Sequence, residues 1–366
     1  MGGYSKICQV KRLNIALVPF SPLCYNVYLM KRFTSDPTVV TIREVAKRAE
    51  VSVATASYAL NDTGRVAAET KKKVLSAAED LGYSPSIAAR MLKGGKGNLI
   101  AILTDGFAGP WYGEILEGLQ PAFKAAGFAV LAITIQKESL MLCRNLVAAG
   151  LIQGLVVLNP EEQWAPLLCP MMDAVPTAVF DPSAQYDQAI RYVLDNREGI
   201  RALMTHLWDR GYRDYLWLDG DLEVAWDAQE RYTAFQVFLD DKDLSKEKRR
   251  RSRGGFKTEV AERAVSAVLA EGRIPRVIVA ANDESAIGAL NAIRRFDFTV
   301  PGDIAVAGFD GLDIAAWMHP TLTTLRFDRR LLGQRMASDV LRAIDDGGLT
   351  PAIQTISLEL LIREST

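Results

Sequence analysis

From residue 98 to the end of the chain, short apolar runs rich in Val, Ile and Leu alternate with helix-sized amphipathic segments. Near-continuous apolar strands that alternate with helices are typical of parallel sheets covered on both faces. The number of strand–helix units predicts two doubly wound α/β lobes with a cleft at the carboxyl ends of their strands. The predicted strands are 99–103, 129–135, 154–158, 177–180, 215–218, 277–280 and 304–307.

Before this region, the pattern of residues 41–98 predicts short helices separated by turns. Thr41 and Glu44 have the spacing of a capping box and predict a helix start. Ser52 is the next N-cap, for a helix over 53–60, and the turn of three residues between these helices predicts a helix-turn-helix. A third helix is predicted over 68–81, ending at Gly82. Its predicted inward residues are Val74, Leu75, Ala78 and Leu81.

The charge is divided unevenly along the chain. The first hundred residues hold 15 Lys and Arg against 7 Asp and Glu, whereas the remainder holds 28 against 37. A basic head on an acidic body is the asymmetry expected when one domain faces phosphates. The run K-E-K-R-R-R-S-R at 246–253 lies inside the acidic body, and we interpret it as a solvated loop or helix end.

Residues 1–40 show no clear periodicity. Lys6, Lys11 and Arg12 precede an apolar run at 13–20 that imitates a signal peptide, but Pro19 interrupts it and no small-residue cleavage site follows. We therefore interpret 1–40 as a disordered extension or as a start assigned too far upstream, with Met30 as the alternative start. The four cysteines form no CxxC pair, so neither a zinc site nor a disulfide framework is predicted.

Three stretches carry a specific resemblance: T-I-R-E-V-A-K-R-A-E-V-S-V-A-T-A-S-Y-A-L-N at 41–61, L-G-Y-S-P-S-I-A-A-R-M-L at 81–92, and V-P-G-D-I-A-V-A-G-F-D at 300–310. The chain resembles the LacI/GalR family of bacterial transcriptional regulators over nearly everything after residue 40. The resemblance implies a helix-turn-helix domain at 41–85, a hinge helix and linker at 86–97, and a periplasmic-binding-protein-like effector and dimerisation domain at 98–366.

In the family, the second helix lies in the major groove of DNA. Val53 and Ala54 match the positions that set specificity, and their small apolar side chains suit thymine methyl groups. The resemblance also implies that hinge residue Leu92 wedges into the minor groove beside Ala89, with an ordinary linker helix as the alternative. The implied DNA-binding residues are Thr41, Ser52, Val53, Ala54, Thr55, Ser57, Tyr58, Asn61, Lys71, Ala89 and Leu92.

The head departs from the family at three positions. Glu50 stands where the turn commonly has Gly, at a cost of ~1 kcal/mol if the conformation is left-handed. Tyr58 replaces a common Arg, and Ala67 replaces a Ser N-cap. The operator sequence therefore does not follow from the resemblance.

In the body, the resemblance implies an effector pocket formed by Trp111, Tyr112, Asp181, Arg231, Asn282, Asp283 and Phe327. Carboxylates would accept hydrogen bonds from ligand hydroxyl groups, and the planar guanidinium of Arg231 would donate paired hydrogen bonds. The aromatic rings would stack on a sugar face. The alternatives are structural. Asp283 would cap a helix, Asp181 would begin a turn, Arg231 would form a surface ion pair and Trp111 would belong to the core.

We therefore predict a cytoplasmic, homodimeric, operator-binding repressor whose affinity for palindromic double-stranded DNA is controlled by a small molecule, with a carbohydrate as the expected ligand. The alternative is a periplasmic-type solute-binding protein that does not bind DNA. An enzyme would need a catalytic constellation, and neither GxSxG, a P-loop nor a metal-ligand cluster is found. We predict no cofactor and no membrane partner.

Overall fold

The computed structural model describes residues 40–61, 64, 66–83, 97–107, 110–180, 186–220 and 226–366. The contacts between Cα atoms divide the chain into two compact units, 1–90 and 91–366. The predicted hinge residues Ala89 and Leu92, the predicted effector residue Asp181 and the extension 1–39 lie outside the described residues. No helix of the described part is long and apolar enough to cross a membrane.

The described residues of the first unit form three helices: α1 (Ile42–Arg48), α2 (Val53–Asn61) and α3 (Ala68–Leu81). The Glu44 carboxylate accepts from the backbone N–H of Thr41 at 2.6 Å and from its hydroxyl at 2.9 Å, so this half of the capping box is present. Gly82 ends α3 in the left-handed conformation, with φ of 64°. The helix boundaries agree with the sequence prediction to within one residue at the carboxyl end of α2.

Small side chains form the core of this unit. The buried residues are Val45, Ala46, Ala49, Ala56, Ala59, Val74, Ala77 and Ala78. Alanine at most of these positions lets the three short helices approach closely around a modest apolar core. Leu75 was predicted to face inward, but its side chain is exposed. It follows Val74 by one residue, and one residue turns the helix by about 100°, so the two side chains cannot share the core face.

Within the second unit, the N-lobe is built on a parallel sheet with the strand order β11-β5-β4-β3-β1-β2. Its strands are β1 (Leu99–Thr104), β2 (Ala129–Thr134), β3 (Ile152–Leu158), β4 (Thr177–Phe180), β5 (Ile190–Leu194) and β11 (Ala352–Ile356). Helices α4 (Pro110–Ala125), α5 (Lys137–Ala148), α6 (Ala165–Met172) and α11 (Arg329–Asp345) cover it. Successive residues of β1 lie on opposite faces of the sheet. Ile100 packs with α4 and α11 on one face, and Ala101 packs with α5 and α6 on the other.

The C-lobe repeats this plan with the strand order β12-β10-β9-β8-β6-β7. Its strands are β6 (Tyr215–Asp219), β7 (Arg249–Arg253), β8 (Val277–Ala280), β9 (Ala305–Asp310), β10 (Thr323–Arg326) and β12 (Glu359–Leu361). Helices α7 (Asn196–Asp209), α8 (Trp226–Asp241), α9 (Thr258–Ala270) and α10 (Asp283–Arg295) complete it. The β10–β12 pair is antiparallel and the other pairs are parallel. The predicted architecture of two doubly wound lobes is confirmed.

The chain passes between the lobes three times. It crosses after β5, again between β10 and α11, and a third time between β11 and β12. The second crossover carries Phe327 and Asp328, and the Asp328 carboxylate caps α11 by accepting from the Leu331 N–H at 2.9 Å. Because the crossovers lie side by side, the carboxyl ends of both sheets face each other across one cleft.

The basic run at 246–253 forms a short 3-10 helix and then strand β7, so its interpretation as a loop or helix end was wrong. This strand pairs with β6 at the edge of the C-lobe sheet. Acidic side chains neutralise it, because Arg249 pairs with Asp240, Arg250 with Asp214 and Arg251 with Asp219. These neighbours are distant in sequence, so the run alone did not predict a strand.

Candidate functional site

Helix α2 presents an exposed face. Val53 is 45 % exposed, Tyr58 is 52 % exposed and Ala54 is also exposed, whereas Ala56 and Ala59 are buried against the rest of the head. An exposed valine and tyrosine on the second helix of a helix-turn-helix leave apolar surface uncovered where the helix can enter a groove. The helix therefore buries one side in its own unit and keeps the other side available for a partner.

The start of α2 is held by its own polar side chains. The Ser52 hydroxyl accepts from the Thr55 backbone N–H at 3.0 Å and lies 2.8 Å from the Thr55 hydroxyl. Ser52 therefore caps the helix, as predicted. The preceding turn places Glu50 at φ of 57°, which is the left-handed conformation that its family position implies.

The other predicted DNA contacts are spread over the head. Thr41 is exposed at the start of α1, and Asn61 is the last residue of α2. Lys71 lies on the first turn of α3 and is partly exposed. Ser57 is only 6 % exposed, because it lies on the side of α2 that faces the core. The structure thus brings Ser52, Val53, Ala54 and Tyr58 to the exposed surface of the same helix and turns Ser57 away from it.

In the second unit, aromatic rings of the N-lobe meet the ring of Phe327 on the second crossover. Trp111 lies 4.7 Å from Tyr112, 5.5 Å from Phe180 and 6.4 Å from Phe327, between ring centroids. Phe180 and Phe327 are stacked at 6.0 Å. The three predicted aromatic residues are therefore neighbours. Phe180, the last residue of β4, was missed, because a hydrophobic residue that ends a buried strand gives no signal of its own.

A polar group lies beside these rings on the N-lobe. The Tyr112 hydroxyl donates to the Asp105 carboxylate, which also accepts from the Thr104 hydroxyl at 3.1 Å. Burial, and then the hydrogen bond to Asp105, raise the pKa of the Tyr112 phenol. Asn159 follows β3 with φ of 48° and interacts with the same phenol. These groups offer oxygen and amide partners to a polar ligand, and sequence reasoning named only Tyr112 among them.

Arg231 is buried on α8 at the C-lobe side of the cleft. Its guanidinium donates to the Asn196 amide oxygen at 3.0 Å, the Ala281 carbonyl at 2.8 Å and the Asp227 carboxylate at 2.6 Å. The guanidinium carbon lies 3.6 Å from the centroid of the Phe309 ring. The alternative interpretation predicted a surface ion pair. The ion pair with Asp227 is present, but the guanidinium is buried rather than at the surface.

Asn282 and Asp283 follow β8 and are engaged inside the C-lobe. The Asn282 side chain caps α10 by accepting from the Ser285 N–H at 2.9 Å, so the helix cap is Asn282 rather than Asp283. The Asp283 carboxylate is fully buried and accepts from the Thr324 hydroxyl at 2.6 Å and the Leu312 N–H at 2.8 Å. Burial, together with the nearby charge of Asp310, raises its pKa to about 8.

Asp310, the last residue of β9, is a carboxylate that the sequence analysis did not select. Its side chain is 9 % exposed, and the described residues show no hydrogen bond to its carboxylate. Burial raises its pKa to about 7, against the opposing charges of Arg231 and Arg329. A buried acceptor to which none of the described residues donates, beside two guanidinium groups at a strand end, is suited to a ligand hydroxyl or amine.

Other cavities do not coincide with this cleft. One of about 720 Å³ lies at the amino ends of β3, β4 and β5. Another of about 440 Å³ is formed by the second and third crossovers and touches the cleft only through Phe327. Among the described residues, no group of three or more His, Cys, Asp and Glu side chains is arranged to hold a metal ion.

Comparison with known proteins supports both units separately. Residues 41–86 match the model of bacterial regulatory proteins of the lacI family, and residues 204–366 match a periplasmic binding protein-like domain. The chain is 31 % identical over 314 residues to the HTH-type transcriptional repressor PurR of Pectobacterium atrosepticum, covering 84 % of this chain and 91 % of that relative. PurR of Histophilus somni strain 2336 is 28 % identical over 331 residues, covering 89 % and 99 %.

Among solved structures, a Lac repressor dimer bound to operator and the anti-inducer ONPF matches with a TM-score of 0.77 and 27 % identity, covering 89 % of this chain and 99 % of that chain. The exposed helix of a helix-turn-helix, joined to a two-lobed α/β domain with a cleft, defines a DNA-binding transcription regulator with an effector domain. The lacI-family match at 41–86 does not favour the alternative of a solute-binding protein without DNA binding. The chain belongs to the LacI/GalR family of bacterial transcriptional regulators.

Proposed function

We propose that this protein is a homodimeric repressor that binds a palindromic operator through α2. Its affinity for the operator falls or rises when a small polar molecule occupies the cleft. The observation that carries the proposal is the exposed apolar face of α2, formed by Val53, Ala54 and Tyr58. Relatives named as transcriptional repressors and a similar Lac repressor dimer bound to operator support it.

In the proposed complex, Val53 and Ala54 contact base edges and thymine methyl groups, and Tyr58 supplies one hydroxyl to the same groove. Thr41, Ser52, Thr55 and Lys71 contact the phosphate backbone and set the register. Ser57 supports α2 from its buried side, and Asn61 lies at its far end. Ala89 and Leu92 would reach the minor groove from the hinge at 86–97, which follows from the family resemblance.

Selection of bound sequences from a random duplex pool tests this arrangement. Exchanging the side chains of Val53 and Ala54 should change the preferred bases while binding persists. Lys71→Gln should weaken binding to all sites alike and lower the slope of log affinity against log salt by about 1. If the exchange variant selects the same sequences as the parent, α2 does not read DNA and the proposal fails.

The effector site is proposed at the carboxyl ends of the strands, between the aromatic rings and Asp310. Trp111 and Phe327 offer apolar faces, whereas Tyr112, Arg231 and Asp310 offer polar groups. We place Asn282 and Asp283 behind the wall of the site, because their polar atoms are occupied within the C-lobe. Asp181 would join the site from the end of β4. A neutral carbohydrate or related polyol suits this mixture of rings and hydrogen-bonding groups, and sugar-bound relatives include a cellobiose complex and a ribose complex.

Thermal-shift screening of the full chain against monosaccharides, disaccharides, polyols and nucleosides tests the site. A compound that stabilises the protein should lose its effect in Asp310→Asn, because the amide replaces one acceptor by a donor. Asp345→Asn, an exposed aspartate at the end of α11, is the matched control and should keep the shift. An equal loss in both variants, or an unchanged shift in Asp310→Asn, would contradict the proposed position.

We further propose that the protein works in the cytoplasm, where its DNA is, and that it performs no catalysis. This proposal is supported by relatives that are named as transcriptional repressors. The proposed division of labour is DNA binding by 41–85, coupling by 86–97, and effector binding with dimerisation by 98–366, while 1–40 has no assigned role.

A further inference from the structure

Helix α11 belongs mechanically to the N-lobe, although it starts at a crossover from the C-lobe. It meets α4 with backbone against backbone. A Cβ atom at Gly118 would lie 2.1 Å from the Arg330 carbonyl oxygen, and one at Gly333 would lie 2.3 Å from the Ile115 carbonyl oxygen. Two glycines at one helix contact leave no room for sliding. The first residues of α11 are therefore fixed to α4.

Arg329, the first residue of α11, reaches from this fixed position into the other lobe. Its side chain is 1 % exposed. Nη1 donates to the carbonyl oxygen of Asp310, and Nη2 donates to that of Gly311 at 3.3 Å. Toward the N-lobe, Nε and Nη2 lie 3.2 Å and 3.1 Å from the two carboxylate oxygens of Glu114 on α4. One buried guanidinium thus joins the two lobes.

The C-lobe end of this bridge is a strained turn over 310–312. Asp310 has a backbone φ of 109°, which residues other than glycine rarely adopt. Gly311 follows with φ of 63°, and a Cβ there would lie 2.4 Å from the Cβ of Arg326. Strained conformations persist only where the surroundings hold them. The turn is held by hydrogen bonds from Gly311 N–H to Thr324 at 3.2 Å and from Leu312 N–H to Asp283 at 2.8 Å, together with Arg329.

We propose that Arg329, neutralised by Glu114, is a positioning residue that holds the turn over 310–312 against the N-lobe and so aims the Asp310 carboxylate into the cleft. Its importance for ligand binding rests on the proposed function, in which Asp310 contacts the effector. The fork geometry of arginine is required, because a lysine ammonium cannot engage both carboxylate oxygens and two carbonyls in one plane. A rotation of the lobes must stretch this bridge, so the pair also sets the resting angle between them.

A neighbouring ion pair provides the control. Arg330 donates to Glu117 at 2.7 Å, one residue beyond Arg329 on α11 and one turn beyond Glu114 on α4. Both of these side chains are about half exposed or more, and the contact lies entirely within the N-lobe. An exposed pair of this kind contributes little to stability. Glu114→Gln and Glu117→Gln are therefore the same chemical change on the same helix. Both carboxylates lie near Arg330, which is 3.9 Å from Glu114, but only Glu114 contacts Arg329.

Hydrogen–deuterium exchange of the full chain tests the proposal without DNA or effector. Glu114→Gln should speed exchange of the Gly311 and Leu312 amides by about 10- to 100-fold, since it weakens charge-assisted hydrogen bonds. The amides of Val306 and Ala307, within β9, should keep their protection. Glu117→Gln should change neither set, and Arg329→Lys should retain part of the protection. Unchanged exchange at Gly311 and Leu312 in Glu114→Gln, or equal effects of both glutamine variants, would overturn the proposal.

A double variant separates positioning from simple stabilisation. Replacing both members of a buried pair by apolar residues commonly preserves stability. Glu114→Met with Arg329→Met should therefore unfold near the parent temperature and yet leave Gly311 and Leu312 exchanging fast. Recovery of both properties together would show that the pair acts only through stability. Because these readouts need no ligand, their failure would leave the proposed function standing, whereas a failure of DNA selection would leave the bridge intact.

Discussion

The carboxylate of Asp283 and the hydroxyl of Thr324 are joined by a buried hydrogen bond of 2.6 Å that links the start of α10 to β10. The other carboxylate oxygen accepts from Leu312 N–H, so one side chain organises three segments of the C-lobe. Burial and the charge of Asp310 make ionisation of this group costly, which raises its pKa to about 8. A raised pKa means that the folded protein binds this proton more tightly than the unfolded chain does.

The sign of this linkage gives a pH prediction. The pKa of Asp283 in the folded state exceeds its unfolded value, so its contribution is fully present below about pH 4 and is lost as the pH rises through about 8. Asp283→Asn resembles the protonated carboxyl and should stabilise the protein relative to the parent at pH 9, with the advantage shrinking toward pH 6. Urea denaturation at both pH values measures it. An advantage that grows toward pH 6 would show that the pKa is not raised.

The turn before α2 offers a gain in stability. Glu50 has φ of 57°, and Glu50→Gly removes the Cβ from a left-handed position. We expect the head to gain about 1 kcal/mol, which slows exchange of the Ala49 and Ala56 amides by about fivefold where they open with the head. Glu50→Ala keeps a Cβ and is the control, with no gain expected. Equal slowing in the alanine variant would mean that loss of the carboxylate, rather than backbone conformation, is responsible.

The contact between α4 and α11 should be intolerant of a single methyl group. Gly118→Ala places a Cβ against the Arg330 carbonyl, and overpacking of this kind costs about 1–3 kcal/mol. Gly113→Ala, on the same helix, meets nothing within 4 Å and should stabilise by about 0.5–1 kcal/mol through helix propensity. The free energy of unfolding from denaturant titration distinguishes them. A similar change in both variants would contradict the close approach of the two helices.

Self-association has a specific candidate surface in the C-lobe. Ile314, within a short 3-10 helix after β9, is 51 % exposed, and Trp317, which ends that helix, is 81 % exposed. Large exposed apolar side chains mark interaction surfaces, and the homodimer of the proposed function would place a second copy of the chain here. Trp317→Glu should weaken dimerisation by at least about tenfold in sedimentation velocity, whereas Val237→Glu, which is 52 % exposed on α8, should not. A dimer of parental strength in Trp317→Glu excludes this surface.

Sequence reasoning succeeded where a short apolar run is bounded by turns. Strands β4 and β8 have the predicted limits, since every residue of each is buried and no charge interrupts them. It failed for β7, whose arginines find acidic partners that are distant in sequence, and it also missed β5, β10, β11 and β12, which have three to five residues each. Periodicity reports the burial of a segment, and it does not report which charged side chains the fold will pair.

The site was predicted less completely than the fold. The motif resemblance led to Trp111, Tyr112 and Phe327, which the structure brings together. It also led to Asn282 and Asp283, whose polar atoms turn out to serve the C-lobe itself. Asp310 was missed because its significance lies in having no hydrogen-bond partner among the described residues, and a missing partner is a property of the folded molecule.

The arginines of β7 have a consequence for the protein in a crowded cell. A sheet edge exposes unpaired backbone N–H and C=O groups that can recruit a strand from another molecule. Here the outermost strand of the C-lobe carries four arginines among its five residues, and three of them are paired with acidic side chains, so a strand added to this edge would have to remove water from those ion pairs. The basic strand thus disfavours strand addition at this edge and, with it, the assembly of fibres.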